Sequence, residues 1–125
     1  MFMLNEKLIP NFDIYSTDEV KTKKIWIDRK PIYRKVIYNA STLSYSNNKA
    51  TINTSISNFD KLIKFEGLVY DSLNGWYNIP FSAIGNADNT ICMEYKNDII
   101  TIEQKVYNNR LSNYIIIIEY TKTTD

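Results

Sequence analysis

Apolar and polar residues alternate along most of the chain in short runs separated by Asn, Asp, Ser and Gly. That is the period of a half-buried strand, and few segments show a helical one. From Val20 to Ala40, Ile25 and Ile27 share one side of a strand and Lys24 and Trp26 the other. After Asp28-Arg29-Lys30-Pro31 the pattern resumes as Ile32 to Tyr38, so a hairpin is expected whose second strand tolerates an opening Pro. Asn39 to Lys49 is polar and reads as a loop, and Ala50 to Ser55 as a short strand. From Lys61 to Asp71, Ile63, Phe65, Gly67 and Val69 alternate with Leu62, Lys64, Glu66 and Leu68. Gly67 in mid-strand predicts a bulge or a close approach. Ser72-Leu73-Asn74-Gly75 predicts the turn into a return strand, Trp76 to Phe81, followed by a loop from Ser82 to Asn89. Thr90 to Lys96 and Ile99 to Val106 flank a tight Asn97-Asp98 turn, and Tyr114 to Thr121 is the last strand. The expectation is an all-β fold, an antiparallel sandwich of about seven or eight strands.

The last strand breaks the alternation. Tyr114, Ile116, Ile118 and Tyr120 lie on one face, while Ile115, Ile117, Glu119 and Thr121 lie on the other. A strand apolar on both faces aggregates if it is left on an edge, so it is expected in the middle of a sheet with both faces covered. The second cover is either a loop or the N-terminal arm of the same chain, or a neighbouring subunit. Residues 114–118 (Tyr114, Ile115, Ile116, Ile117, Ile118) are therefore subunit-interface candidates.

Composition narrows the chemistry. The 125 residues include 10 Tyr, one Cys and no His. A Ser-His-Asp triad, a Cys-His dyad, a Cys/His zinc site and an internal disulfide are thereby excluded. Fifteen basic against 14 acidic residues leave +1, which gives no compositional support to nucleic-acid binding or an anionic membrane surface. No apolar run approaches membrane-spanning length and no leader pattern is visible, so a soluble protein without membrane insertion is expected. Residues 1–14 are expected to form an arm, either docking or disordered, ahead of one β domain over residues 15–125.

Several local features could carry binding. Lys21, Lys23, Lys24, Arg29, Lys30, Arg34 and Lys35 concentrate charge on one hairpin that also holds Trp26 and Tyr33. Lys24, Arg34 and Lys35 are the anion-binding candidates there, for instance for wall phosphate; edge lysines that block strand pairing explain the same cluster. Tyr and Asn in the expected loops suit polyhydroxyl ligands, which singles out Tyr45, Asn47, Asn48, Asn86 and Asp88. Asn74 sits at a turn rim beside Trp76 and Tyr77; stacking on a sugar and core packing are both open to Trp76, with core packing favoured. Glu66, Glu94, Glu103 and Glu119 lie on expected strands, but nothing in their spacing forces the roughly 5 to 9.5 Å separation of a glycosidase pair. Asn86 to Asn89 lacks a calcium-loop spacing, so no metal or cofactor is expected. Cys92, between Ile91 and Met93, is expected to be a small buried side chain.

Four blocks occur in a fixed order. They are Tyr15-Ser16-Thr17-Asp18-Glu19 with Trp26-Ile27-Asp28-Arg29-Lys30-Pro31-Ile32-Tyr33-Arg34-Lys35-Val36-Ile37; Ile56 to Ile63 with Gly67; Trp76 to Pro80; and the ending Ile118-Glu119-Tyr120-Thr121-Lys122-Thr123-Thr124-Asp125. Together they resemble the C-terminal domain of tail-fibre and related virion appendage proteins of phages and prophages of low-GC Gram-positive bacteria. The resemblance spans residues 15–125. It departs at Arg29, where the family commonly has Gly, which suggests a different turn. What the resemblance implies is a virion structural protein: a trimeric fibre tip or knob without enzymatic activity that attaches to host-surface glycans. Alternatives of another kind are a head-fibre or decoration protein docking to other virion proteins through residues 1–19, and a carbohydrate-binding module or small glycan-cleaving enzyme.

Overall fold

The computed structural model describes residues 14–83, 86–105 and 110–124, together with two dipeptide strands near the N-terminus. Side chains are described for residues 14–80, 90–105 and 110–124. The dipeptide strands, β1 (Met3–Leu4) and β2 (Lys7–Leu8), pair with each other. The rest of the expected arm before Ile14 lies outside the described residues.

All the described regular structure is β, in antiparallel sheets. The remaining strands are β3 (Val20–Ile25), β4 (Pro31–Asn39), β5 (Lys49–Asn53), β6 (Phe59–Asp71), β7 (Gly75–Ile79), β8 (Phe81–Ala83), β9 (Asn86–Lys96), β10 (Ile99–Gln104) and β11 (Leu111–Lys122). They form a five-stranded sheet, β3-β4-β11-β6-β7, and a four-stranded sheet, β5-β10-β9-β8. The long last strand is central in the larger sheet, as its two apolar faces require. Val69, Ile79, Leu111, Tyr114 and Ile116 from the larger sheet meet Ile91, Ile100 and Ile102 from the smaller in one buried cluster. A second cluster of Ile56, Ile118 and Tyr120, flanked by Tyr33, Phe59, Phe65 and Tyr95, extends it toward one end. Burying a side chain such as Ile116 contributes about 1.5–3 kcal/mol, so these two clusters are the main source of stability.

Turn chemistry explains how a chain with three Gly makes so many reversals. Eight described non-glycine residues take positive φ, and five of them are Asn: Asn47, Asn48, Asn58, Asn97 and Asn113. Asn tolerates the left-handed region better than other L residues, because its short amide bonds locally. Asn47-Asn48 turns the chain into β5, and Asn97-Asp98 joins β9 to β10. Arg29 also stands at positive φ, 73°. Arg29 thus takes the left-handed conformation that favours Gly. The β3–β4 turn is closed by Arg29 N–H donating to the Trp26 carbonyl at 2.9 Å and Trp26 N–H to that of Lys30 at 2.9 Å.

Two expectations about the middle of the chain are corrected. The return strand does not run through Pro80: it ends at Ile79 in one sheet, and Phe81 begins a strand in the other. Pro80 cannot donate to a ladder, which makes it a natural place to change sheets. Residues 82–89 are also not simply a loop, since Phe81 pairs with Ile91, Ser82 with Thr90 and Ala83 with Asn86. β8 is only three residues long and residues 86–90 of β9 are largely polar, so no apolar alternation reveals the pair. Gly67 does mark a close approach: a Cβ there would stand 2.9 Å from Met93 Cε and 3.2 Å from Ile79 Cδ1.

Candidate functional site

Strand parity divides the five interface candidates. Tyr114, Ile116 and Ile118 face the chain's own core, where Ile116 and Ile118 are fully buried, and are unavailable to a partner. Ile115 and Ile117 face outward and are half-buried. Ile115 stands between Tyr38 of β4 and Leu68 of β6, and Ile117 between Val36 and Glu66. Tyr38 is 51% exposed and Leu68 37%. Ile115, Ile117, Glu66, Leu68, Asn78 and Pro80 border a depression of about 520 Å³ on the outer face of the sheet. Trp76 belongs to the same face, 54% exposed and tilted against Tyr70 at 5.3 Å. Its expected place in the core is therefore corrected: pairing with Tyr70 sets its parity outward.

The other end of this face is covered from within the chain. Ser16 carbonyl accepts from Val36 N–H at 2.9 Å, extending the edge beyond β3. Arg34 Nη2 donates to the Ile14 carbonyl at 2.8 Å, and its guanidinium lies 4.4 Å from the centroid of the Tyr15 ring. Beneath them Glu119, 4% exposed, is reached by Lys24 at 3.5 Å and Arg34 at 3.9 Å. On the inner side Tyr120 hydroxyl donates to Glu19, whose other oxygen takes Lys122 at 2.7 Å. Residues 14–19 thus close one half of the outer face, and among the described residues none covers the half at Ile115 and Ile117.

The anion-binding candidates are not brought together. Lys24 and Arg34 converge on Glu119, whereas Lys35, next along the strand, points to the opposite side and donates to the Thr54 carbonyl at 2.7 Å. Tyr33, expected on the basic face, instead stacks on Tyr120 at 6.2 Å. At the hairpin tip Lys30 and Lys61 bind Asp60 at 3.1 and 3.0 Å, and Lys61 also binds Asp28 at 3.1 Å. Lys61 and Lys30, with Thr121 hydroxyl, hold the Asp60 carboxyl down to about 2. Of the hairpin's basic residues, Lys24, Lys30 and Arg34 are engaged by carboxylates.

Asn47, Asn48 and Asn74 are exposed at one end of the strands, near the start of β11. Asn48 carbonyl accepts from Gln104 N–H at 2.9 Å, and Ser72 N–H donates to the Arg110 carbonyl at 3.0 Å. Arg110 clamps the 72–74 loop by a two-pronged bond to the fully buried Asp71, at 2.9 and 2.6 Å. Tyr45 is not a rim residue: it packs against the core, and its buried hydroxyl has no hydrogen-bond partner among the described residues. Burial accordingly pushes its phenol well above the usual range. Asn86 and Asp88 lie in β9, not in a loop, and their side chains fall outside the described residues.

The opposite end holds a cleft whose residues were not candidates. Ile56, Asn58, Phe59, Tyr95, Asn97 and Asp98 line about 450 Å³ where the β9–β10 turn faces the start of β6. Phe59 and Tyr95 rings lie 5.0 Å apart, and Tyr95 hydroxyl donates to Asp98 Oδ1 at 3.0 Å. Two segments far apart in the chain, residues 56–59 and 95–98, build it, so nothing local in the sequence signals it.

The four strand glutamates divide between the sheets' outer faces. Glu94 and Glu103 share one, diagonal to each other across the β9–β10 pair, with Glu103 half exposed and bound to Lys49 at 3.8 Å. Cys92, opposite Glu103, is exposed. The expected burial is corrected because Ile91 and Met93 take the inward parity on either side. Among the described residues no three His, Cys, Asp or Glu side chains gather as metal ligands, and no helix is long and apolar enough to cross a membrane. Compared with known protein families, curated proteins and solved structures, the chain matches none.

Proposed function

We propose that this chain is a non-enzymatic phage virion domain, the tip of a fibre or appendage, which self-associates as a trimer and attaches to host-surface glycans. The observation that carries the self-association is the open apolar half of the larger sheet, where Ile115 and Ile117 of the central strand sit among Val36, Tyr38 and Leu68. A lone chain rarely leaves contiguous apolar surface on a sheet face, and identical neighbours are the partners always at hand in a fibre. Two packed sheets with polar turns at both ends suit a sandwich-type knob that presents binding loops away from a shaft. The virion context is supported by the four ordered sequence blocks, which lie on or beside strands of the larger sheet.

Retention on cell walls tests the attachment. Purified protein is mixed with walls from a panel of low-GC Gram-positive strains, untreated or oxidised with periodate to cleave sugar diols. Cosedimentation with the untreated walls of at least one strain, abolished by oxidation, is expected. Retention that survives oxidation, or none on any strain, contradicts glycan attachment.

A further inference from the structure

We infer that the cleft between the β9–β10 turn and the start of β6 is a binding site for a neutral saccharide unit. The inference rests on glycan attachment for its ligand class, but its geometry stands alone. Its floor is apolar and aromatic: Ile56 is buried, and Phe59 is tilted between Tyr95 at 5.0 Å and Tyr120 at 5.8 Å. Phe59 and Tyr95 both keep solvent-accessible surface. A sugar ring presents an apolar C–H face and a polar hydroxyl edge, and it needs a floor of this kind beside amide or carboxylate groups.

Those groups stand at the rim. Asn58 and Asn97 are exposed, and among the described residues their carboxamides make no hydrogen bond. Each offers a carbonyl and an NH₂, which can bind adjacent hydroxyls as acceptor and donor at once. Asp98 has one carboxylate oxygen held by Tyr95, leaving the second to accept from a hydroxyl. The backbone is fixed from below. Thr54 N–H and hydroxyl donate to the Asp98 carbonyl at 2.8 and 3.1 Å, and Thr123 N–H donates to the Asn58 carbonyl at 2.8 Å. Such a rim loses little freedom on binding.

Charge and size select the ligand class. Lys96 and Asp98 both line the cleft and offset each other, which favours an uncharged polyol over phosphate. About 450 Å³ is within the range of small-ligand sites and suits one or two sugar units. The basic β3–β4 hairpin does not line this cleft, and Lys30 at its tip is bound to Asp60.

The test uses the intact ¹⁵N-labelled chain in two-dimensional NMR. Glucose, galactose, rhamnose, N-acetylglucosamine and N-acetylgalactosamine are titrated in turn, and inorganic phosphate separately, to about 50 mM, above the millimolar Kd of a shallow site. At least one sugar is expected to shift the backbone amides of Asn58, Phe59 and Tyr95 to Asp98 and the Asn97 carboxamide. The double variant Asn58→Gly/Asn97→Gly keeps both positive-φ positions unstrained and is expected to weaken that sugar at least about tenfold. Shifts by no sugar, shifts centred on Asn47, Asn48 and Asn74, or an equal response to phosphate overturn the proposal. Wall retention separates the two claims. If the folded double variant is retained as well as the natural chain, the cleft assignment fails and attachment stands. If the natural chain is not retained while a sugar shifts the cleft, attachment fails and the cleft stands.

Discussion

Replacing Arg110 by Ala strips two of the four hydrogen bonds that hold the Asp71 carboxylate. Asp71 is fully buried and accepts from Arg110 Nε at 2.9 Å and Nη2 at 2.6 Å, from Leu73 N–H at 3.1 Å and from Tyr77 hydroxyl at 2.9 Å. Burial alone pushes the carboxyl up, but Arg110, Leu73 N–H and Tyr77 together bring it below its ordinary value. Breaking a buried ion pair from one side costs about 3–5 kcal/mol. Arg110 is 27% exposed, so water enters where its side chain stood and lowers the expected loss to about 2–3 kcal/mol. Asp71→Asn points an NH₂ at donors and is expected to cost about 3 kcal/mol. Urea unfolding at pH 7, followed by circular dichroism, measures both. The double variant should lose less than the sum of the two, by about 1 kcal/mol or more. The Arg110→Ala deficit should also shrink as pH falls below 3.8, because a carboxyl with a depressed folded value loses its contribution on protonation. Losses under about 0.5 kcal/mol for both single variants would refute the idea that this clamp orders the 72–74 loop against β11.

The acid response of the hairpin tip follows the same sign. Asp60 stabilises fully above its unfolded value of 3.8 and loses that contribution as pH falls toward about 2, so Asp60→Asn should flatten the acid unfolding curve in that window. At Gly67, Ala is expected to cost under about 1 kcal/mol because the Met93 thioether end can swing away, whereas Val should cost about 1–3 kcal/mol in thermal or urea unfolding. Cys92 should react with a thiol reagent such as DTNB in the native protein, one equivalent per chain; reaction only after unfolding would contradict its outward parity.

The parts of the fold legible in the sequence are those where period and turn chemistry agree. Alternation from Ile63 to Val69 identifies the buried face of β6, and Asn97-Asp98 marks the β9–β10 reversal. The apolar run at 114–118 correctly requires a central strand. What escapes is the assignment of each parity to a side of the molecule. Trp76 and Cys92 look like core residues from their neighbours, yet each sits on the outward register of its strand. The β8–β9 pair escapes because β8 is only three residues long and residues 86–90 of β9 are largely polar. The cleft escapes for a different reason. Asn97 reads as an ordinary turn residue and Asn58 carries no site signal, and only sheet stacking sets them around Phe59 and Tyr95.

The central claim is that copies of this chain cover the open half of the larger sheet at Ile115 and Ile117. Sedimentation velocity on the natural chain and on Ile117→Lys, across micromolar concentrations, tests it most directly. Trimers are expected for the natural chain, and a folded monomer for Ile117→Lys, since Ile117 is half-exposed and outside the core. A natural chain that remains monomeric throughout, or an Ile117→Lys variant that still sediments as a trimer, would contradict it.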